Sequence, residues 1–146
     1  MAKRRTYVDT GVLLAAFRGT HSLSEKALAI LDDEEREFVI SGFLKLEALP
    51  KPTFYRRRDE IEFMEIFCRA AASEVDVSAQ LVADAIRLAG AHDIAPMDAL
   101  HVAAALRGGA FEFVTTEKSN KPLFRVNGIK IITIADEPAS ADRPAQ

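Results

Sequence analysis

Four acids stand where a chain would place chemistry. Asp9 separates two apolar runs in TYVDTGVLLAAF, residues 6–17. Glu47 lies in the otherwise apolar GFLKLEAL, Asp98 follows Pro96 in APMDALHVAAAL, and Glu117 follows an apolar run in FVTTEK. Burying an acid alone is costly, and four acids that converge repel one another. A bound cation resolves that conflict. Oxygen-only ligands select hard ions, Mg²⁺ or Mn²⁺, which bind through a few carboxylates and several waters. Such an ion can activate a water and stabilise charge on a phosphoryl oxygen during phosphodiester cleavage. The same acids have plainer uses. Asp9 and Asp98 sit where helix caps sit, Glu117 could be a loop acid, and Glu47 could reach out to solvent. Spacing alone leaves both readings open.

The elements that must position these acids can be read along the chain. Residues 5–8 read as a buried strand ended by Asp9, and residues 11–17 as a helix capped by Asp9 or Thr10. Residues 21–31 place Leu23, Ala27, Ile30 and Leu31 on one helical face. The acids at 32–35 read as a solvated helix end. Residues 37–41 read as a second strand, and Ser41 as the cap of a helix carrying Phe43, Leu44, Leu46 and Glu47. Pro50 and Pro52 are expected to end that helix. A long helix is expected over 53–72, with Phe54, Ile61, Met64, Phe67 and Cys68 on one side. A short strand then spans Val75 and Val77, and Ser78 caps a helix to Ala91 with Leu81, Ala85, Ile86 and Ala89 inward. Pro96 opens a helix over 97–106 that Gly108 and Gly109 close. Residues 111–115 and 129–134 read as the last strands.

This alternation predicts an α/β fold with a mainly parallel sheet of four to five strands and helices on both faces. Parallel strands end on one common edge, where open sheets build their sites. Asp9 and Glu117 belong on that edge, and the start of the Asp98 helix can point to it.

Composition narrows the class. The 146 residues suit a single domain over 1–136, followed by a polar tail at 137–146 that predicts disorder. With 49% hydrophobic and 28% charged residues, one real core can be buried. The lone Cys68 excludes an internal disulfide and points to a reducing compartment, with the thiol as a small buried hydrophobe. No apolar run approaches the ~18 residues of a membrane span. The basic MAKRR start lacks a following apolar region, so the expected location is the cytoplasm. A net charge of −3 and a pI of about 5.6 argue against a protein that coats nucleic acid by bulk charge. A local basic rim is still compatible with that balance.

Taken in order, YVDTGVLLAAF, VISGFLKLEAL, APMDALHVAAAL and FVTTEK resemble the PIN-domain ribonucleases, most closely the VapC-type toxins of toxin–antitoxin modules. The resemblance spans about residues 6–134. It implies a three-layer α/β/α fold in which Asp9, Glu47, Asp98 and Glu117 are the catalytic and metal-ligating quartet. Thr10, Ser41 and Thr115 would orient carboxylates or bound water. The implied reaction is Mg²⁺- or Mn²⁺-dependent endonucleolytic cleavage of RNA, by a homodimer held inactive by a small antitoxin. Two departures stand out. The fourth acid is Glu117, where the family more often has Asp, and the following KSNKPLF is unusual. They keep an alternative open, a catalytically silent PIN module that acts by binding RNA or protein.

Other motifs carry less. Asp9-Thr10-Gly11 is also the aspartic protease triplet, but that enzyme needs a largely β fold. Phosphatases of the haloacid dehalogenase type want a second acid at the position of Gly11. No glycine-rich nucleotide loop appears, and His21, His92 and His101 form no zinc pattern. His101 shares a helix face with Asp98, where packing is the expected role. For RNA contact the candidates are Lys3-Arg4-Arg5, Arg56-Arg57-Arg58, and Lys118 with Lys121 and Arg125, with Lys118 nearest the acids. Arg56–Arg58 could equally form a solvated face or pair with Asp59, Glu60 and Glu62, and Tyr55 could stack a base or pack.

Overall fold

The computed structural model describes residues 2–19 and 22–135. The tail expected at 137–146 lies outside the described residues, as does His21.

Strand β1 (Arg4–Val8) runs into helix α1 (Thr10–Arg18), and α2 (Ser22–Leu31) leads to β2 (Arg36–Ser41). Helices α3 (Gly42–Ala48), α4 (Pro50–Phe54) and α5 (Arg58–Ala70) precede the short β3 (Ser73–Val75). Then follow α6 (Ala79–His92), α7 (Pro96–Arg107), β4 (Glu112–Thr115), a 3₁₀ turn at Pro122–Arg125, and β5 (Lys130–Thr133). The strands form one sheet in the order β3-β2-β1-β4-β5, and every neighbouring pair is parallel. The first strand made is therefore the central one. The strand order turns back at β1, the position at whose C-terminal end open parallel sheets bind their ligands.

The sequence feeds two cores, one on each face of the sheet. Neighbouring residues of a strand point to opposite faces. Tyr7, Val39 and Phe113 pack with Leu81, Ala99 and Val102 under α6 and α7. Val8, Ile40 and Val114 pack with Val12, Leu44 and Met64 under α1, α3 and α5. Tyr7 and Phe113 stack nearly parallel at 5.6 Å on adjacent strands. Fully burying one such side chain contributes roughly 1.5–3 kcal/mol. Cys68 is half-buried and packs against the second core, as a small hydrophobe would.

Several local expectations change. The helix expected over 53–72 is two helices, α4 and α5, separated by Arg56 in the left-handed region at φ 55°. Pro50 does not merely stop α3; it opens α4, because the first position of a helix has no use for its N–H. The break turns Phe54 out to 78% exposure instead of onto the face of Met64. Ile86, expected inward, is exposed, as is Leu46 on α3, and Val77 lies beyond the end of β3. Asp33 is not simply solvated: it accepts a hydrogen bond from Arg36 at 2.8 Å.

Candidate functional site

Asp9 leaves β1 and caps α1. Its Oδ1 accepts the Val12 N–H at 3.2 Å. Its Oδ2 accepts the Thr115 hydroxyl at 2.5 Å. An aspartate cap contributes about 1 kcal/mol to a helix, so one function of this residue is structural. The same Thr115 Oγ1 accepts the N–H of Glu117 at 3.0 Å. One hydroxyl at the end of β4 thus holds the Asp9 carboxylate and the backbone that presents Glu117. Gly11 makes the approach possible, because a Cβ there would lie 2.5 Å from the Thr116 hydroxyl oxygen.

Glu47 is held from two sides. Its Oε1 accepts the Thr10 hydroxyl at 2.6 Å and lies 2.6 Å from His101 Nε2. His101 is 3% exposed, so it is far from a solvated helix residue. Its Nδ1 lies 2.7 Å from the Tyr7 hydroxyl, which lies 2.7 Å from Ser41 Oγ. Ser41 in turn caps α3 by accepting the Leu44 N–H at 3.0 Å. Ser41 therefore reaches the site only through Tyr7 and His101. Asp98 sits in the first turn of α7, half-buried beside these groups.

The charges on this edge act on each other. Burial pushes the Asp9 carboxyl up to about 6, Thr115, His101 and the Val12 N–H draw it back, and Asp98 adds to the rise. Asp98 is also raised, first by burial and then by Glu117 and Glu47, while His101 and Lys121 oppose. Glu47 moves the other way, because the His101 hydrogen bond outweighs its burial and Thr10 assists. Burial lifts the Tyr7 hydroxyl far out of reach of ordinary titration. Among the described residues, Asp9, Asp98 and Glu117 have no Lys or Arg in an ion pair.

That donor set fits a hard divalent ion: oxygen acids, like charges raising Asp9 and Asp98, and no Lys or Arg paired with Asp9, Asp98 or Glu117 among the described residues. It is not a closed cage, for among the described residues no three such side chains gather on a single point. An ion that keeps most of its waters needs no closed cage.

The structure thus brings Asp9, Glu47, Asp98, Thr10 and Thr115 onto one edge, with Glu117 and Lys121 acting electrostatically on Asp98. Lys118 is exposed beside Glu117. Arg56 is elsewhere. It lines a cleft with Phe17, at the opposite end of α1 from Asp9, roughly 12 Å along the helix axis. A cleft of about 590 Å³ between α6 and α7, lined by Asp84, Arg87 and Arg107, does not include the acids. Sequence reasoning missed Tyr7 and undervalued His101. One signal was available: a tyrosine in a buried strand needs a partner for its hydroxyl.

The sequence model described as the PIN domain matches residues 6–119. No curated protein matches the chain in sequence. Among solved structures, the chain is similar to VapBC2 from Rickettsia felis bound to a promoter DNA fragment, at 15% identity and a TM-score of 0.65, covering 88% of this chain and 98% of that one. DNA-bound VapBC from Salmonella typhimurium is similar at 15% identity and a TM-score of 0.64, covering 90% and 98%. A toxin–antitoxin complex from Klebsiella pneumoniae is similar at 16% identity and a TM-score of 0.65, covering 88% and 97%. At such identities the likeness is one of fold.

Proposed function

The chain belongs to the PIN-domain family, and from that premise we propose that it is a Mg²⁺- or Mn²⁺-dependent endoribonuclease, the toxin of a toxin–antitoxin module. PIN-domain proteins are generally nucleases that use divalent metals. The observation that carries the reading is an edge where, among the described residues, Asp9, Asp98 and Glu117 have no Lys or Arg ion-pair partner, Asp9 is raised to about 6 and Asp98 is raised by burial, Glu117 and Glu47.

Asp9, Glu47 and Asp98 would hold the ion, with Glu117 assisting. When bound, the ion supplies positive charge for a phosphoryl oxygen and acidifies a water. The protein does the rest. Thr115 fixes the Asp9 carboxylate, and Thr10 and His101 fix that of Glu47. Lys118 and Lys121 supply phosphate contacts beside the acids, and Arg56 supplies one farther along the strand. The protein acts as a single domain over residues 1–136, in the cytoplasm, as a homodimer with a small antitoxin. The antitoxin is supported by the solved neighbours, which are toxin–antitoxin complexes.

The test is RNA cleavage in Mn²⁺ by wild type, Asp9→Asn and Asp98→Asn, each checked for folding. Both variants should lose activity; cleavage at the wild-type rate by both would remove the site assignment. One observation favours the second reading, a silent PIN module that binds RNA or protein: the described acids do not close on one point. Calorimetric titration separates the two. Absence of Mn²⁺ binding at millimolar concentration would favour the silent module.

A further inference from the structure

The hydrogen bonds around His101 have a direction that can be worked out donor by donor. The Leu44 N–H must donate to Ser41 Oγ, because a backbone N–H cannot accept. Ser41 has no other described acceptor for its own proton than the Tyr7 oxygen, 2.7 Å away. With that proton pointing inward, the Tyr7 hydroxyl donates to His101 Nδ1 at 2.7 Å. The imidazole then carries its hydrogen on Nε2 and donates it to Glu47 Oε1 at 2.6 Å. The reverse direction would leave the Ser41 proton without a partner in a buried site, a costly defect.

The chain ends on one particular oxygen. Glu47 Oε1 receives both His101 and the Thr10 hydroxyl, whereas Oε2 has no hydrogen-bond partner among the described residues. Two donors on one oxygen fix the rotation of the carboxylate and divide its atoms by role.

We infer that His101 is a positioning residue. Held as the Nε2–H tautomer by the Leu44–Ser41–Tyr7 chain, it turns Glu47 so that Oε1 is occupied by the protein and Oε2 is left for the divalent ion. This rests on the metal reading of the site and adds the device that aims one of its ligands. Partners that orient a ligand from behind typically govern metal affinity by tenfold to a hundredfold. His101 is packed against Phe43 at 4.7 Å between ring centres, which keeps the imidazole from turning away.

The experiment has two arms. The first is ¹⁵N NMR of the imidazole nitrogens in metal-free protein at neutral pH, which should show a hydrogen on Nε2 and a bare Nδ1 at His101. Tyr7→Phe should loosen that preference. The second is titration of Mn²⁺ alone into wild type, Tyr7→Phe, His101→Ala and His101→Gln. His101→Ala should weaken binding by roughly ten- to a hundredfold. His101→Gln, whose amide can still donate toward Glu47, should recover part of it, a rescue that simple loss of packing would not give. Thermal melts in chelator identify any variant that fails to fold, in which case Tyr7→Phe and His101→Gln carry the test. Hydrogen on Nδ1, or Mn²⁺ affinity unchanged in folded His101→Ala and His101→Gln, overturns the inference while the metal reading stands. A wild-type protein that binds no Mn²⁺ overturns both.

Discussion

The two ends of the sheet treat buried carboxylates in opposite ways. At the N-terminal end, Glu112 is 1% exposed, yet it has everything an acid requires. Arg36 reaches it at 2.6 Å, Arg4 at 3.3 Å and the Thr6 hydroxyl at 2.7 Å. Asp33 and Glu37 nearby take Arg36 and Arg5. Burial alone would raise Glu112, but Arg36, Thr6 and Arg4 together bring it below its ordinary value. At the C-terminal end, Asp9 and Asp98 are raised, and among the described residues no arginine pairs with them. Both ends are built from parallel strands of the same sheet. The difference lies in the counter-ion: among the described residues one end carries its own arginines, and the acids Asp9 and Asp98 at the other pair with none. The same fold lowers a buried carboxyl at one end and leaves two raised at the other.

The comparison can be broken most severely through activity. Asp98→Asn should reduce RNA cleavage roughly a thousandfold, since several kcal/mol of transition-state stabilisation would go with the ion. Glu112→Gln should leave the rate per folded molecule unchanged. Next in size is stability. Glu112→Gln removes the partner of an almost buried Arg36 and should cost about 3 kcal/mol in denaturant unfolding. Because the carboxyl of Glu112 is lowered in the fold, its stabilisation is present above its ordinary 4.5 and disappears as pH falls through the lowered value. The gap between wild type and Glu112→Gln should therefore close in acid.

Mn²⁺ should raise the melting point of wild type by an amount equivalent to about 2.7 kcal/mol at a hundredfold excess over its dissociation constant. Glu112→Gln should respond equally, and Asp9→Asn and Asp98→Asn should not. The smallest effect has the opposite sign to that of Glu112. In chelator at neutral pH, Asp9→Asn should stabilise the protein by about 1 kcal/mol, since it removes an ionisation that the fold resists and keeps a good cap at the cost of one hydrogen bond. The cost of ionised Asp9 is absent below its ordinary 3.8 and complete above about 6. Melts of both proteins between pH 4 and pH 7 should show the advantage of the variant growing as pH rises. If Asp9→Asn instead destabilised the metal-free protein at every pH, the contrast between the two ends would fail.

What the sequence disclosed follows a physical line. Caps are local, so Asp9, Ser41 and Ser78 were readable from residue type and the apolar run behind them, and each accepts the N–H three residues on. The strand ends that carry Asp9 and Glu117 were readable because apolar runs stop there. Non-local pairings were not. Tyr7 and His101 are 94 residues apart, and nothing near either one announces the other. Glu112 looked like an ordinary strand residue, because its arginines arrive only through the register that sets Thr6 opposite Glu112 and Arg4 opposite Arg36. The break at Arg56 was hidden because Tyr55, Arg56, Arg57 and Arg58 all tolerate a helix, and tertiary context decided against it. Arg56 was named for RNA contact by its charge, and residue type alone could not show that it lines a cleft with Phe17 at the far end of α1 from Asp9.

The hydrogen bond from Thr115 to Asp9 joins residues separated by 106 positions, and the central strand β1 waits for β4 to complete its pairing. A ribosome makes the chain from its N-terminus, so Asp9 is synthesised long before the hydroxyl that secures it. The carboxylate edge is thus among the last features to form during synthesis. A nascent chain would lack the assembled edge until nearly all of its fold had emerged.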